Sequence, residues 1–416
     1  MVRARRPLSA MLVAALLLLG GCTEDDGAWR EPRTLSIGLL APLSGPDAAL
    51  GQQAAQGAQL AIDLIAVRQT DLSLPLAVTA GVRGGTPLTL AVADSHGDGD
   101  AAGTLIRDRG ALGLIAADRA ETVRSGTERA EALGVPLVDA GLAADALSAL
   151  GYRRYFQIGP ADRALARAVF GLLRQQRAAG LPVRRITVVE SGGTGAAALL
   201  ATIREISAAG AHDLTTVRYR DRPTEIETVS AQCLSVGTDV VIAMVTSQEE
   251  AAAAAQLAER LRGKIPVVAL GQRATIGGVP AGRGVSEMRA VSWSVDYAGR
   301  SPVAEAIAER YNRQFGAPLT EAAASAFTAT LVLANAVDSA DRVDPDGVHV
   351  ALQRTWFPAA ETVMPWNGIR FDAAGQNELA AAVVEQQTSS GPRIVYPLEL
   401  AVALPTWPSA KSSGRS

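Results

Sequence analysis

The sequence predicts an α/β protein built from two doubly wound parallel-sheet lobes. Three observations carry this reading. Apolar runs of strand length alternate with stretches whose apolar residues recur at helical spacing. The alternation restarts after Tyr155-Phe156-Gln157, and the second run repeats the plan of the first. A strand-helix-strand order also requires right-handed crossovers, which give parallel strands with helices on both faces of the sheet.

The first run opens with TLSIGLLA (34–41), a short apolar strand. It ends in the turn PLSGP, where Pro and Gly fix the backbone. A helix follows, marked by Leu50, Ala54, Ala58, Ala61, Ile62 and Ile65, and its small residues permit close packing on the sheet. LTLAVAD (88–94) is the second strand and DAAGTLIRDRG the next helix. LGLIAA (112–117) and VPLVDA (135–140) follow as strands with a helix between them. In the second run, helices over 162–179, 195–209, 225–236 and 248–262 alternate with RITVVE, LTTVRYR, DVVIAMV and IPVVAL. Ligands of such sheets lie beyond the carboxyl ends of the strands, so two facing lobes would enclose a cleft lined by strand-to-helix loops.

Composition sets the class. With 48% hydrophobic and 19% charged residues and a formal charge of -3, the chain is in the ordinary globular range and shows no basic patch for nucleic acid. Its basic residues are nearly all Arg, with Lys only at 264 and 411, a compositional bias that says nothing of function. Cys22 and Cys233 are the two cysteines. Cys233, in ETVSAQCLSV, shares a helix face with Val229 and Val236 and reads as a buried structural thiol.

Arg3, Arg5 and Arg6 followed by the apolar stretch Met11–Leu19 read as a secretory signal, since the stretch is too short to span a bilayer. It ends in Leu19-Gly20-Gly21-Cys22, which resembles the lipobox of bacterial lipoproteins. That resemblance implies cleavage before Cys22 and a diacylglycerol thioether on its sulfur. Thr23–Arg33 then reads as a flexible tether, and 405–416 as a disordered tail.

Enzymatic chemistry finds little support. His96, His212 and His349 are dispersed and fit no metal-ligand spacing, and Ser44 lies in no G-x-S-x-G elbow. Adjacent acids such as Glu249-Glu250 read as solvated. Gly193-Thr194-Gly195-Ala196-Ala197-Ala198 follows a strand and opens a helix, the context of a dinucleotide fingerprint, so a Rossmann oxidoreductase is a remote alternative. Against it, no Asp stands clearly at the expected distance, Asp221 being farther along.

The order of several stretches identifies a family resemblance. IGLLAPLSGPDAALGQQAAQGAQLAID, LAVADSHGDGDAA, AEALGVPLV, FQIGPADRALARAV, DVVIAMVTSQEEAAAAAQLAERL, AERYNRQFGAPLTEAAASAFTATLVLANAV and NGIRFDAAGQ stand in the order found in type I periplasmic binding proteins. The chain resembles the branched-chain amino acid (Leu/Ile/Val) branch of that family, over about residues 34–400. The resemblance implies a hinge of three chain crossings, near 155–160, 294–298 and 356–360. Lobe 1 would be 34–157 plus 297–357 and lobe 2 would be 158–296 plus 358–404, closing on a small molecule. Trp356 and Trp366 flank the third crossing and read as hinge packing. The family resemblance further implies delivery to the permease of an ABC importer, a monomer, no cofactor and no catalysis, and together with the lipobox an extracytoplasmic, lipid-anchored location. A sensor or scaffold of the same fold is the alternative.

Residue by residue, the resemblance places ligand contacts as follows. The hydroxyl-rich loop that holds a ligand carboxylate falls on Asp118–Thr122, where Thr122 alone has a hydroxyl and Arg119 offers a cation. The Ala-Thr pair falls on Leu142-Ala143, the aromatic after the first turn on Leu50, and the lobe 2 tyrosine on Thr194. The acidic receptor for the ammonium falls at Gly271-Gln272, while Asp162 matches an acid of the first crossing. A charge-assisted hydrogen bond contributes roughly 1.5–3 kcal/mol, so loss of both charged grips would cost decades of affinity for a free amino acid. A bidentate grip by Arg119 on an anion, against an apolar wall of Leu50 and Leu142, is one replacement; the alternative is Arg119 paired with Asp118 or Glu121 on a solvated rim.

Overall fold

The computed structural model of the chain describes residues 34–97, 99–118, 120–140, 147–192, 196–219, 223–271 and 287–408. The first run of the sequence forms strands β1 (Leu35–Ala41), β2 (Leu88–Asp94), β3 (Ala111–Ala116), β4 (Leu137–Asp139) and β5 (Tyr155–Gln157). They pair in the order β2-β1-β3-β4-β5, every pair parallel. Helices α1 (Ala48–Ala66), α2 (Ala101–Arg107) and α3 (Ala120–Ala132) supply the crossovers. Each strand buries side chains on both faces: Leu39 and Val138 join one core, Leu40 and Leu137 the other.

The second run gives α4 (Asp162–Ala178), β6 (Arg185–Glu190), α5 (Ala196–Ala209), β7 (Asp213–Arg218), α6 (Pro223–Ser235), β8 (Val240–Met244), α7 (Gln248–Leu261) and β9 (Val267–Leu270). β10 (Glu287–Val291) extends it. Then come the helices α8 (Val295–Ala298), α9 (Pro302–Phe315), α10 (Glu321–Ser339) and α11 (Pro345–Gln353). The chain ends with strands β11 (Trp356–Pro358), β12 (Gly368–Arg370), β13 (Val383–Thr388) and β14 (Gly391–Tyr396). The second sheet runs β14-β13-β10-β9-β8-β6-β7. It is parallel from β10 to β7, whereas β13 and β14 add an antiparallel hairpin at one edge. β11 and β12 form a separate antiparallel pair.

Period-two alternation again splits the second sheet between two cores. Ile186, Val188 and Met288 face α4 and α5, while Val189, Val241 and Ala269 face α6 and α7. Cys233 is fully buried in the latter, and burial pushes its thiol up to about 11. Val236, expected on the same face, lies just past the end of α6 and is exposed. α10 is apolar nearly all round because it is wrapped nearly all round. It packs on α1 at Gly57, where a Cβ would fall 2.1 Å from the Ala323 carbonyl oxygen, so the helix backbones touch.

Three passages join the sheets. Ile158 belongs to the first core and Leu165 to the second. After β10 the chain returns, with Trp293 already in the first core. Phe357, Met364, Trp366 and Phe371 stay there, Ala380 and Ala381 still pack on it, and Ala382 is the first to enter the second core. The third passage is thus at 381–382 rather than 356–360, because β11 and β12 pair against the first core before the chain leaves it. Among the described residues, no helix is long and apolar enough to cross a membrane.

Candidate ligand site between the two sheets

The loop after β1 lies directly on the first turn of α1. At Gly51 a Cβ would fall 1.9 Å from the Pro42 carbonyl oxygen, so only glycine lets the PLSGP turn rest there. Asp94, at the end of β2, pins this turn: its Oδ1 accepts the Leu43 N–H at 2.9 Å and the His96 N–H at 3.1 Å. The Ser44 hydroxyl is the main reason its carboxyl titrates below the ordinary carboxylate range, with the backbone donors adding to it. Beyond β3, Asp118 accepts from the Ser95 hydroxyl and has His96 Nε2 at 3.3 Å.

Asp47, His96 and Asp118 each offer one ligand atom, all within 4.8 Å of one another. Two carboxylates and an imidazole are donors that suit a divalent transition metal. Sequence spacing could not reveal this trio, since the three residues come from three loops. His96 and Ser95 already engage Asp118, so a hydrogen-bonded network accounts for the arrangement.

A cavity of about 260 Å³ opens beside β10, walled by helices packed on the first sheet and by strands of the second. Leu50 and Gln53 of α1 and Pro318–Ala322 at the start of α10 form one side. Arg289 and Val291 of β10, Glu385 of β13, Pro392, and Trp293–Val295 of the second passage form the other. Period two sets the second wall: Met288 and Ala290 point into the core under α4, so Arg289 and Val291 point out. Arg289 Nε donates to Glu385 Oε1 at 2.5 Å, and the two side chains are 31% and 4% exposed. Burial works against the guanidinium charge, but Glu385, with Glu321 and Glu287 farther off, raises its pKa above the ordinary value. Glu321 Oε1 accepts the Ser292 N–H at 2.8 Å.

The passages beneath are tied crosswise. The Trp293 indole donates to the Val363 carbonyl and the Trp366 indole to the Ser292 carbonyl, each at 3.1 Å. Trp366 therefore packs at the passages, whereas Trp356 is 60% exposed. It lines a larger hollow of about 400 Å³ at the far end of α10. There Arg342 and Arg354 are paired with Asp344 and Asp341, and every wall comes from one stretch of chain. Size alone does not make it the better site.

Of the residues expected at the ligand, Leu50 lines the interlayer cavity. Thr122 is half-buried in the first turn of α3 and Asp162 is buried at the start of α4; neither lines it. Arg119, Leu142, Ala143, Thr194 and Gln272 lie outside the described residues, as do Cys22 and the glycines at 193 and 195. Glu250, read as solvated, is instead buried. Its carboxylate accepts from Ser191, Thr246 and Ser247 while Ser247 caps α7, a capping box whose acid faces inward.

Comparison with known proteins places this geometry. The Leu/Ile/Val-binding protein homolog 7 of Brucella suis biovar 1 is 23% identical over 412 residues, 95% of this chain and 98% of the relative. The homologue from Brucella abortus (strain 2308) is 22% identical over 404 residues, 93% and 98% of the two chains. Among solved structures, an ABC transporter substrate-binding protein from Desulfitobacterium hafniense in complex with Leu superposes with a TM-score of 0.66 at 16% identity, covering 87% of this chain and 99% of that one. A solute-binding protein of an ABC transporter from R. palustris in complex with benzoate gives 0.65 at 18% identity, over 90% and 99%. These likenesses show the type I periplasmic-binding-protein fold. The model of the periplasmic binding protein family matches residues 34–391, and the chain belongs to that family.

Proposed function

We propose that this chain is an extracytoplasmic solute-binding lipoprotein that traps a small molecule between two lobes and delivers it to an ABC importer. The lobes are the two sheets with their helices, and the three passages serve as the hinge. The observation that supports this most is the cavity beside β10, which is walled by helices packed on the first sheet and by strands of the second, and is lined by both Leu50 and Arg289. A hollow shared by two bodies changes shape when they swing, so a molecule filling it favours the closed state. The two charged signs and the apolar walls suit an amino acid or a related amide or organic acid, and its volume suits a compact solute. Family membership and relatives named for Leu, Ile and Val binding agree with this class.

Thermal-shift screening of amino acids, amides, small peptides and organic acids tests the reading. A ligand that binds only the folded chain raises its melting temperature by mass action, by about 2.7 kcal/mol of stability at a hundred times Kd. The reading expects at least one such compound, and a screen in which none of the four classes binds would sink it. Anchoring through Cys22 is tested separately: Cys22→Ser should abolish acyl incorporation and release the protein from membranes, and persistent acylation would refute it.

A further inference from the structure

The family resemblance puts the charged ligand contacts in strand-to-helix loops, and this chain lacks the expected side chains there. The cavity supplies a different anchor. Arg289 is fixed at one edge, with Nε on Glu385 Oε1 at 2.5 Å. Its terminal nitrogens make no hydrogen bond among the described residues, and its side chain remains 31% exposed where it lines the cavity. A guanidinium oriented from one side and open on the other is shaped for a planar anion, because parallel N–H groups match the two oxygens of a carboxylate. Around it, Leu50, Val291, Trp293 and Leu319 form an apolar wall.

We propose that Arg289 is the specificity-determining residue that grips a carboxylate of the bound solute, with the solute's apolar body against Leu50, Val291 and Trp293. The inference rests on the solute-binding reading and adds where and by what group the ligand is held. Glu385 is then a positioning residue: it aims the guanidinium and does not touch the ligand. Among the described lining residues the charges are Arg289, Glu321 and Glu385; Glu385 is paired with Arg289, and the Glu321 carboxylate favours an ammonium beside the ligand's carboxylate. The grip therefore orders a simple panel: leucine above 4-methylpentanoate, and both above leucinamide and isopentylamine, which lack a carboxylate.

The test is calorimetric titration of these four compounds into the purified protein, Arg289→Gln, and the double variant Arg289→Gln/Glu385→Gln, which leaves no buried carboxylate without its partner. The proposal expects the carboxylates to lose roughly 10- to 100-fold in affinity in both variants, as for one charge-assisted bond. Leucinamide binding should change little, so the leucine-to-leucinamide ratio collapses. A purely structural role would weaken all four alike and leave the ratio intact, which overturns the proposal. It also fails if leucinamide or isopentylamine binds the unaltered protein as tightly as leucine, or if neither carboxylate binds. Where another compound from the wider screen still binds, only the grip has failed; where none of any class does, the solute-binding reading falls too.

Discussion

The loop edge of the first sheet and the cavity beside β10 both gather charged side chains, yet they differ in what those side chains are doing. At the loop edge the polar groups serve one another: Asp94 holds Leu43, Ser44 and His96, and Asp118 is held by Ser95 and His96. Beside β10, Arg289 is held along one edge only and faces with the other a hollow of mixed polar and apolar walls. Satisfied networks fix a backbone, whereas an oriented donor with an open face is what a ligand can use. Among the described residues, closeness to the strand ends does not by itself leave a polar group open to a ligand. The state of each polar group's hydrogen bonds is more telling.

The largest expected effect lies where both regions share a foundation, in α1. Gly57→Val would drive side-chain carbons into the Ala323 backbone and part α1 from α10, costing about 3 kcal/mol in urea unfolding. A loss under about 0.5 kcal/mol would mean the helices are not held in contact. Trp366→Phe comes next. It removes the donor to the Ser292 carbonyl beneath the cavity and leaves that buried acceptor unpaired, at a cost of about 1–3 kcal/mol. It should also weaken solute binding, because the second passage carries Trp293 into the cavity wall.

Asp94→Asn should separate the two regions. It loosens the PLSGP turn by about 1 kcal/mol but leaves solute affinity within twofold, since Asp94 does not line the cavity. Its depressed folded pKa sets the sign of a pH effect. The stabilisation is fully present above the unfolded value near 3.8 and is lost as pH falls through the folded value, so the variant's deficit should vanish in strong acid. The smallest effect is histidine-linked. Burial pushes His212 and His349 below their ordinary 6.5, so the unfolded chain takes up the proton first and stability declines as pH falls from 7.5 to 5.5. Replacing both with Gln should flatten that slope in thermal melts without moving solute affinity, because neither ring lines the cavity.

Much of this fold was legible in the sequence, because buried parallel strands such as RITVVE and DVVIAMV read as short apolar runs between helical stripes. β13 and β14 were not, since VVEQQT and GPRIVY mix apolar and polar residues and pair antiparallel at an edge. Leu50, which the family resemblance places at the ligand, lines the cavity beside β10. Arg289 was not legible: its partner Glu385 is remote in sequence, and no local pattern marks a charged residue in a strand as facing a hollow. Glu250 misled for a related reason, since adjacent acids look solvated until the cap that turns one inward is known.

If the two lobes close on a solute as proposed, the protein must become more compact when that solute binds. Small-angle X-ray scattering of the purified protein, alone and saturated with the tightest binder from the screen, tests it most directly. A smaller radius of gyration is expected with the compound bound, and a return to the larger value when the compound is dialysed away. Saturable binding with an unchanged scattering curve would contradict lobe closure.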